Sequence, residues 1–442
     1  MSATIQIVEV TVKQKVAPAP ITLQSTGALV SLGGTNLTPG TKALLTQASD
    51  FTAIEQVAKA LTSITCSGTT ATATTASAHG FTNNDTLEIF IKATVPTGYI
   101  GLWACTVTGA TTFTFTVPST LASTTTPGTY QDDNYVETQG MVTTFFAQGN
   151  TTPVYVFECG PGTVNDTIPI LANYILANPY TVYIWLCPAE WDGAGAFAVD
   201  LLSVYSGASA KVYFFFQTQL NTYTTYLNTW KCGMGLVQSP SSIFPTEFSM
   251  AAVMWTVLSW NPSNINQVPP LQYTFVTDVT AYPLMGNQVS LTNLLNANIN
   301  WIGTGAEGGI SNTLIRNGTL LDGNPMNYWY AVDAVQLHVD EDLANEVING
   351  SNNPQNPLYY NQAGINRLQA RAEATMAYLI SWGLILGPVN VTAVPFAEYV
   401  TDNPSDYSAG IYKGLAVIFT PNRGFSQIVF NALVSQFPLG PT

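Results

Sequence analysis

Apolar and polar positions alternate at the very start of the chain. Ile5 to Val12 reads IQIVEVTV, and APAP follows, which neither continues a strand nor starts a helix smoothly. This predicts an N-terminal strand on a short proline-rich leash. GALVSLGG predicts a short buried strand. In SDFTAIEQVAKAL the period becomes helical: Phe51, Ile54, Val57 and Leu61 share one face, and Asp50 is placed to cap it.

The texture changes at about Thr62. From there to about Asn134 the chain is rich in Thr, Ser and Gly, with short strands in SITCSGTTATATTA, DTLEIFIKA and GLWACTVTGATTFTFTVP. This predicts a small all-β module. YVETQGMVTTFFAQ then resumes the helical pattern that stopped at Leu61, so the module reads as an insertion into a host domain. The host continues with strands PVYVFEC, TVYIWLC, KVYFFFQ and GMGLVQ. Between them lie helices TIPILANYILAN, AGAFAVDLLSVYS, QLNTYTTYLNTW and PTEFSMAAVMWTVLSW, the last with Pro245 at its start. Apolar strands between helices predict a mostly parallel sheet covered on both faces over residues 135–260.

After NPSNINQVPP the pattern is less regular until Asn327. AVDAVQLHVDEDLANEVIN predicts a helix, continuous or broken near Asp340, and QAGINRLQARAEATMAYLISWG an amphipathic one. GLAVIFTP is a strand and PNRG a turn. In GFSQIVFNALVSQF, Phe425, Ile428, Val429, Ala432 and Leu433 fit a helical face, while Ile428, Phe430, Ala432 and Val434 fit one strand face. A helix would strand Phe430 and Val434 on the wrong side, and TPNRG suits a hairpin connection, so a strand is expected.

Composition narrows the function. The chain has 442 residues, 46% hydrophobic but only 9% charged, against about a quarter charged in an average soluble domain. A neutral polar surface suits lasting contact inside an assembly, because mixed charge is what keeps a lone protein soluble. The net charge is -14 with 12 Lys+Arg and no basic cluster, which disfavours nucleic acid and anionic membranes. MSATIQIVEVTVKQKV lacks the features of a secretory signal, and the longest apolar runs fall short of the ~20 residues of a membrane span. Cys66, Cys105, Cys159, Cys187 and Cys232 are odd in number without CxxC, so reduced thiols are expected rather than a disulfide framework or zinc site. Whether Cys66 and Cys105 pair stays open.

Candidate chemistry is weak. Gly303, Gly305 and Gly308 in GTGAEGG match GxGxxG, but the β-branched ISNTLIRNG follows where a dinucleotide site needs a helix. His338 lies beside Asp340, Glu341 and Asp342, yet adjacent acids on a helix point different ways; Asp340 as an N-cap explains them. His79 lies in the β module. The α/β region has no histidine and no GxSxG, so a hydrolytic triad is not expected. A carboxylate pair for glycoside hydrolysis stays open as a less favoured alternative. No enzyme activity, cofactor or metal is expected.

Three features together resemble the tail sheath proteins of contractile-tailed bacteriophages. They are the N-terminal strand on a leash, the α/β middle with its early β insertion, and the closing run NYWYAVDAVQLHVDEDLANEVIN, GINRLQARAEATMAYLISWGLI and GLAVIFTPNRGFSQIVFNALVSQF. The likeness is greatest over residues 310–442 and weaker over 1–61 and 135–300. The inserted stretch is similar to a small β-sandwich module of phage tail proteins. The resemblance implies an α/β fold plus an all-β insertion: a layered α/β middle domain, an α+β C-terminal domain and extended β arms at both termini. The expected layout is an N-terminal arm at 1–20, a sheath domain at 21–61 and 135–300, and a β-sandwich at 62–134. The C-terminal domain is expected at 301–424 and a C-terminal arm at 425–442. It further implies hexameric discs stacked helically around a tail tube protein, contracting to drive the tube through the host envelope. Other expected partners are baseplate and tail terminator proteins, in a virion tail assembled in host cytoplasm. Ile5, Ile7, Val8, Val10, Val12, Ile428, Val429, Phe430, Leu433, Val434 and Phe437 are the expected inter-subunit contacts. A tube or baseplate component is the alternative.

Overall fold

The computed structural model describes residues 21–425, except 83, 85, 208–209, 228–229, 241–245, 284–285 and 306–309. The chain opens with strands β1 (Gly27–Ser31) and β2 (Lys42–Leu45). A barrel follows, built from β3 (Lys59–Ser67), β4 (Thr70–Thr75), β5 (Thr86–Lys92), β6 (Gly101–Gly109), β7 (Thr112–Thr116) and β8 (Thr129–Gln131). Then come α1 (Asp133–Ala147), β9 (Val154–Glu158), α2 (Val164–Ala177), β10 (Ile184–Leu186), β11 (Tyr213–Thr218), β12 (Gly233–Val237), α3 (Ser249–Leu258) and α4 (Gln288–Asn296). The last part holds β13 (Asn300–Gly305), β14 (Ile310–Arg316), α5 (Met326–Ser351), α6 (Gln362–Ser381), β15 (Ile385–Ala393), α7 (Phe396–Asp402), α8 (Pro404–Ala409) and β16 (Leu415–Pro421).

The fold is mixed α/β with several sheets. The largest has the order β14-β13-β12-β11-β10-β1-β9-β2. Strands β9, β1, β10, β11, β12 and β13 run parallel, and β2 and β14 run antiparallel at the two edges. Successive residues of these strands enter different cores, as a pleated strand requires. Leu29, Ile184, Leu186, Tyr213 and Phe215 pack with α1 and α3. Ala28, Val30, Trp185, Phe214 and Phe216 pack on the other face with α2 and α4. Burial on both faces is why these strands read as unbroken apolar runs.

Several expectations need correction. SDFTAIEQVAKAL is not a helix: a 3-10 turn covers Ala48–Ala53, and β3 begins at Lys59. Asp50 lies inside that turn, where its Oδ2 accepts from Thr46 N and Thr46 Oγ1, both at 2.8 Å. Leu61 is buried in the barrel; pairing of β3 with β4 and β8 overrides a weak helical period. QLNTYTTYLNTW keeps only the turn Tyr223–Tyr226. There Thr222 Oγ1 accepts from Gln219 N (3.1 Å) and donates to Asp192 Oδ2 (2.5 Å), local bonds that compete with a helix. AGAFAVDLLSVYS is π-helical over Phe197–Ser203. Helix α3 begins at Ser249, and Pro245 lies outside the described residues. Helix α5 is unbroken, so Asp340 is mid-helix rather than a cap. Gly303 and Gly305 lie in strand β13, and Gly308 is outside the described residues.

The inserted module is a closed barrel, not a sandwich, with strand order β3-β4-β7-β6-β5-β8. Strand β8 closes it because Tyr130 pairs with both Lys59 of β3 and Ile91 of β5. Inside, Ala71 and Ala73 face Phe115 and Phe113 across β4 and β7, small against large, as a narrow barrel needs. The two chain crossings are stitched together. Gln56 Nε2 donates to Asp132 Oδ1 (2.6 Å), Gln131 Nε2 donates to Gln56 O (2.6 Å), and Lys59 pairs with Asp132 (3.0 Å).

Two buried carboxylates fix the rest. Glu158, at the end of β9, accepts from Ser31 Oγ (2.9 Å), Gly33 N (2.7 Å), Thr35 N (3.2 Å), Thr35 Oγ1 (2.6 Å) and Gly160 N (2.5 Å). Asp333 of α5 accepts from Tyr183 Oη (3.0 Å) and Tyr213 Oη (2.8 Å) at the entry of β10 and β11. Burial pushes the Asp333 carboxyl up, while Lys211, Lys231 and the two tyrosines pull it back. Nearby, Lys211 Nζ donates to Gln336 Oε1 (2.6 Å) and Lys231 Nζ lies 4.6 Å from the Trp329 ring centre.

Glu158→Ala leaves five donors without their acceptor and is expected to cost about 3–5 kcal/mol, with Glu158→Gln recovering part. Denaturant unfolding of both variants checks this. Two other acids set a pH dependence. Burial, with Asp132 and Glu190 nearby, raises Asp133 to about 6, and burial raises Asp340 to about 6, both from 3.8. Their protonated forms favour the fold, so this contribution is full below pH 3.8 and lost as pH rises through about 6. Asp133→Asn and Asp340→Asn should flatten the fall in melting temperature across that window.

Candidate functional site: a two-stranded sheet with open edges

Strand edges decide where this protein can bind another chain. The barrel has none. The β14 edge of the main sheet is covered: Tyr273 N donates to Ile315 O (2.8 Å), Val276 N to Thr313 O (3.1 Å), and Ile315 N to Thr274 O (2.9 Å). The β2 edge is four residues long and starts with a lysine, which makes a poor template. That leaves β15 and β16, which pair antiparallel with each other and, among the described residues, with no other strand.

One face of this hairpin is seated. Ile385 and Val391 are buried, and Leu415, Val417 and Phe419 pack partly buried against the same core as α5 and α6. Those helices are clamped by Asp342, which accepts from Thr375 Oγ1 (2.6 Å), Tyr378 Oη (2.8 Å) and Arg371. Hydrogen bonds and the Arg371 charge hold this carboxylate below its usual range against its own burial. The other face is open and uncharged. Leu386 is 53% and Ile418 88% exposed, beside Asn390, Thr392, Ala416 and Thr420. Such a sheet suits main-chain pairing with an added strand.

Both ends of the described chain are held beside this sheet, on the first turns of α5. Gln24 Nε2 donates to Tyr330 O (2.9 Å). Asn327 Nδ2 donates to Asn422 O (2.9 Å), and Arg423 lies 4.8 Å from the Tyr328 ring centre while donating to Asn324 Oδ1 (2.7 Å). The expected contacts Ile5, Ile7, Val8, Val10, Val12, Ile428, Val429, Phe430, Leu433, Val434 and Phe437 lie outside the described residues. Sequence reading found β16 but missed its partner β15. The overlooked signal is Pro388, which demotes a run to an edge strand rather than excluding a strand.

Other candidates carry less chemistry. A crevice of about 350 Å³ opens at the ends of β1 and β9, lined by Gly33, Thr35, Lys59, Asp132 and Glu158. Ligands of doubly wound folds bind in such a place. Here Glu158 is saturated by its own chain, Asp132 is held by Lys59 and Gln56, and no aromatic residue lines the walls. Another buried carboxyl, that of Glu137, is strongly perturbed. Burial and then Glu190 push Glu137 up, but it already accepts from Ala189 N (2.7 Å) and does not line the crevice. His79 Nδ1 accepts from Phe81 N (3.1 Å), and His338 packs against Tyr378 and Trp382. All five cysteines are free, which answers the question of Cys66 and Cys105. Among the described residues no group of three His, Cys, Asp or Glu is placed to hold a metal, and no helix is long and apolar enough to cross a membrane.

No protein-family model matches the chain, and no curated protein matches its sequence. Solved structures match over nearly its whole length. A chain of the six-fold symmetrised baseplate of the anti-feeding prophage (AFP) aligns with TM-score 0.56 and 11% identity, covering 98% of this chain and 100% of its own. A chain of the AFP helical sheath in its contracted state gives 0.52 and 11%, covering 97% and 99%. One from the AFP baseplate in its contracted state gives 0.51 and 10%, covering 98% of each. Identity this low speaks to the fold alone, and the expectation drawn from the sequence is borne out at that level: this chain shares its mixed α/β fold with chains of the AFP helical sheath and baseplate.

Proposed function

We propose that this protein is the structural subunit of a contractile tail sheath, polymerising helically around a tail tube and shortening to drive the tube through a host envelope. The observation that carries this reading is the open β15–β16 sheet beside the point where both ends of the described chain are held. A strand from a neighbour gains main-chain hydrogen bonds there without needing charge. Head-to-tail contacts that do not close give helical filaments, in keeping with the helical sheath from which one similar structure comes.

In this reading residues 1–20 and 425–442 are arms. Residues 21–61 with 135–300 form the sheath domain, 62–134 the inserted module and 301–424 the C-terminal domain. The subunit's partners are other copies in hexameric rings, the tube, and the baseplate and terminator at the two ends. The place of action is a virion tail. The role asks for no catalysis and no cofactor. Two of the similar chains come from baseplate structures, which favours, as a second reading, a copy fixed at the baseplate end.

Deleting residues 425–442 should leave a folded monomer that forms no ordered tubes. Negative-stain electron microscopy of the truncated protein checks this; striated tubes would sink the arm assignment. Replacing residues 60–129 by a short Gly/Ser linker should preserve both assembly and the cooperative melting of the rest. Lys59 and Tyr130 are register partners, so their Cα atoms lie about 5 Å apart.

A further inference from the structure

One contact between the main sheet and α5 brings together the reactants of an amide exchange. Lys211, two residues before β11, is 3% exposed. Its Nζ donates to Gln336 Oε1 at 2.6 Å. The pair is held in register by its neighbours: Tyr213, two residues further along the strand, donates to Asp333, one turn back along α5. Among the described residues Lys211 has no other hydrogen-bond partner and no carboxylate within ion-pair reach.

A buried ammonium without a counter-charge in contact is costly. Burial lowers the Lys211 pKa against the pull of Asp333 and Asp340. Lys231, whose Nζ donates to the carbonyl of Ala210 (3.0 Å), sets a like charge nearby. Both effects move Lys211 towards the neutral amine, which is the nucleophilic form. A C=O bond is about 1.23 Å long, so Nζ lies roughly 3–4 Å from Gln336 Cδ, overlapping the about 3–3.5 Å of a near-attack pair.

A proton carrier stands beside them. Asp333, Gln336 and Asp340 follow at i, i+3 and i+7 on one face of α5. Asp333 is taken up by Tyr183 and Tyr213. Asp340 is not: its Oδ1 is buried without a hydrogen-bond partner among the described residues, and burial raises its pKa to about 6. A carboxyl that titrates near neutral pH can both take a proton and return it. Gln336 itself is half-buried, which leaves a small leaving group a way to solvent.

We propose that Lys211 and Gln336 join in an isopeptide bond that the chain forms on itself, with Asp340 as the proton carrier. The neutral Nζ attacks Gln336 Cδ, and a C–N bond forms as the carbonyl electrons move onto Oε1. Asp340 takes the proton that Nζ loses and passes it to Gln336 Nε2. The carbonyl then re-forms, the Cδ–Nε2 bond breaks, and one ammonia leaves. One amide is made and one is broken, so no oxidant, reductant or co-reactant enters. Escape of ammonia to solvent and loss of a buried charge favour the product. The bond fastens the entry of β11 to the helix behind the β15–β16 hairpin, so a pull on the hairpin reaches the main sheet through a covalent strap. It does not depend on the function proposed above.

Intact-mass spectrometry of the full chain under denaturing conditions tests this without a variant. The mass should fall one ammonia short of the sequence, after allowing for the N-terminal methionine. A tryptic digest should hold a branched peptide joining Lys211 to Gln336, uncut after Lys211. A full mass that persists after days at neutral pH overturns the bond. Lys211→Met and Gln336→Ala should each restore the full mass; a deficit that survives either change belongs elsewhere in the chain and overturns the assignment. Asp340→Asn separates the proton carrier from the pair. In timed cell-free synthesis its deficit should appear about 100-fold more slowly than in the natural chain, with unchanged circular dichroism. An equal rate removes Asp340 from the reaction.

Discussion

A single buried carboxylate joins the parts of this molecule that must act together. Asp333 sits on α5 and accepts from Tyr183 and Tyr213, at the entry of two adjacent strands of the main sheet. A buried carboxylate stripped of its partners is costly, so the helix can neither slide along the sheet nor rotate without losing both bonds. Helix α5 in turn carries the start and the end of the described chain, at Tyr330 and at Asn327 and Tyr328. Through α6 and the Asp342 clamp it also carries the open hairpin. The points where a subunit would give strands and the sheet where it would receive one are thus fastened to one rigid body.

Glu158 does the equivalent work at the opposite ends of the strands. The N–H groups of Gly33, Thr35 and Gly160 converge there much as they do around bound anions in other doubly wound folds. This chain fills that place with its own side chain. A site that elsewhere confers ligand binding here adds stability, and the fold is left to act through its surfaces.

The sequence made the main sheet legible because its strands are buried on both faces, and KVYFFFQ or TVYIWLC read as nothing else. The same holds for α5 and α6, where long periodic patterns leave little ambiguity. What failed was local competition. At SDFTAIEQVAKAL the helical period was real, but Asp50 closed a short turn and β3 was claimed by a barrel whose partners lie up to 71 residues away. The barrel itself was misread as a sandwich because closure depends on three-residue β8 pairing on both sides, which no pattern within β8 encodes. Of the candidate site, the strands expected at the two termini lie outside the described residues. The receiving sheet was half visible, since Pro388 masked β15.

The contractile role proposed above would place a particular demand on such a body. Subunits must change neighbours' angles without coming apart, so the contacts that persist have to differ in kind from those that exchange. Strand pairing suits persistence, because its backbone bonds are numerous, directional and indifferent to salt. The remaining surface is poor in charge and rich in Thr, Asn and Ser, so it can be repacked at small desolvation cost per contact. Two packings of the same rigid body then differ in free energy only through the surfaces they bury, and over many subunits small differences sum to a large one. In the proposed role no bound nucleotide would be needed to store that energy, because assembly in the higher-energy packing would already do so.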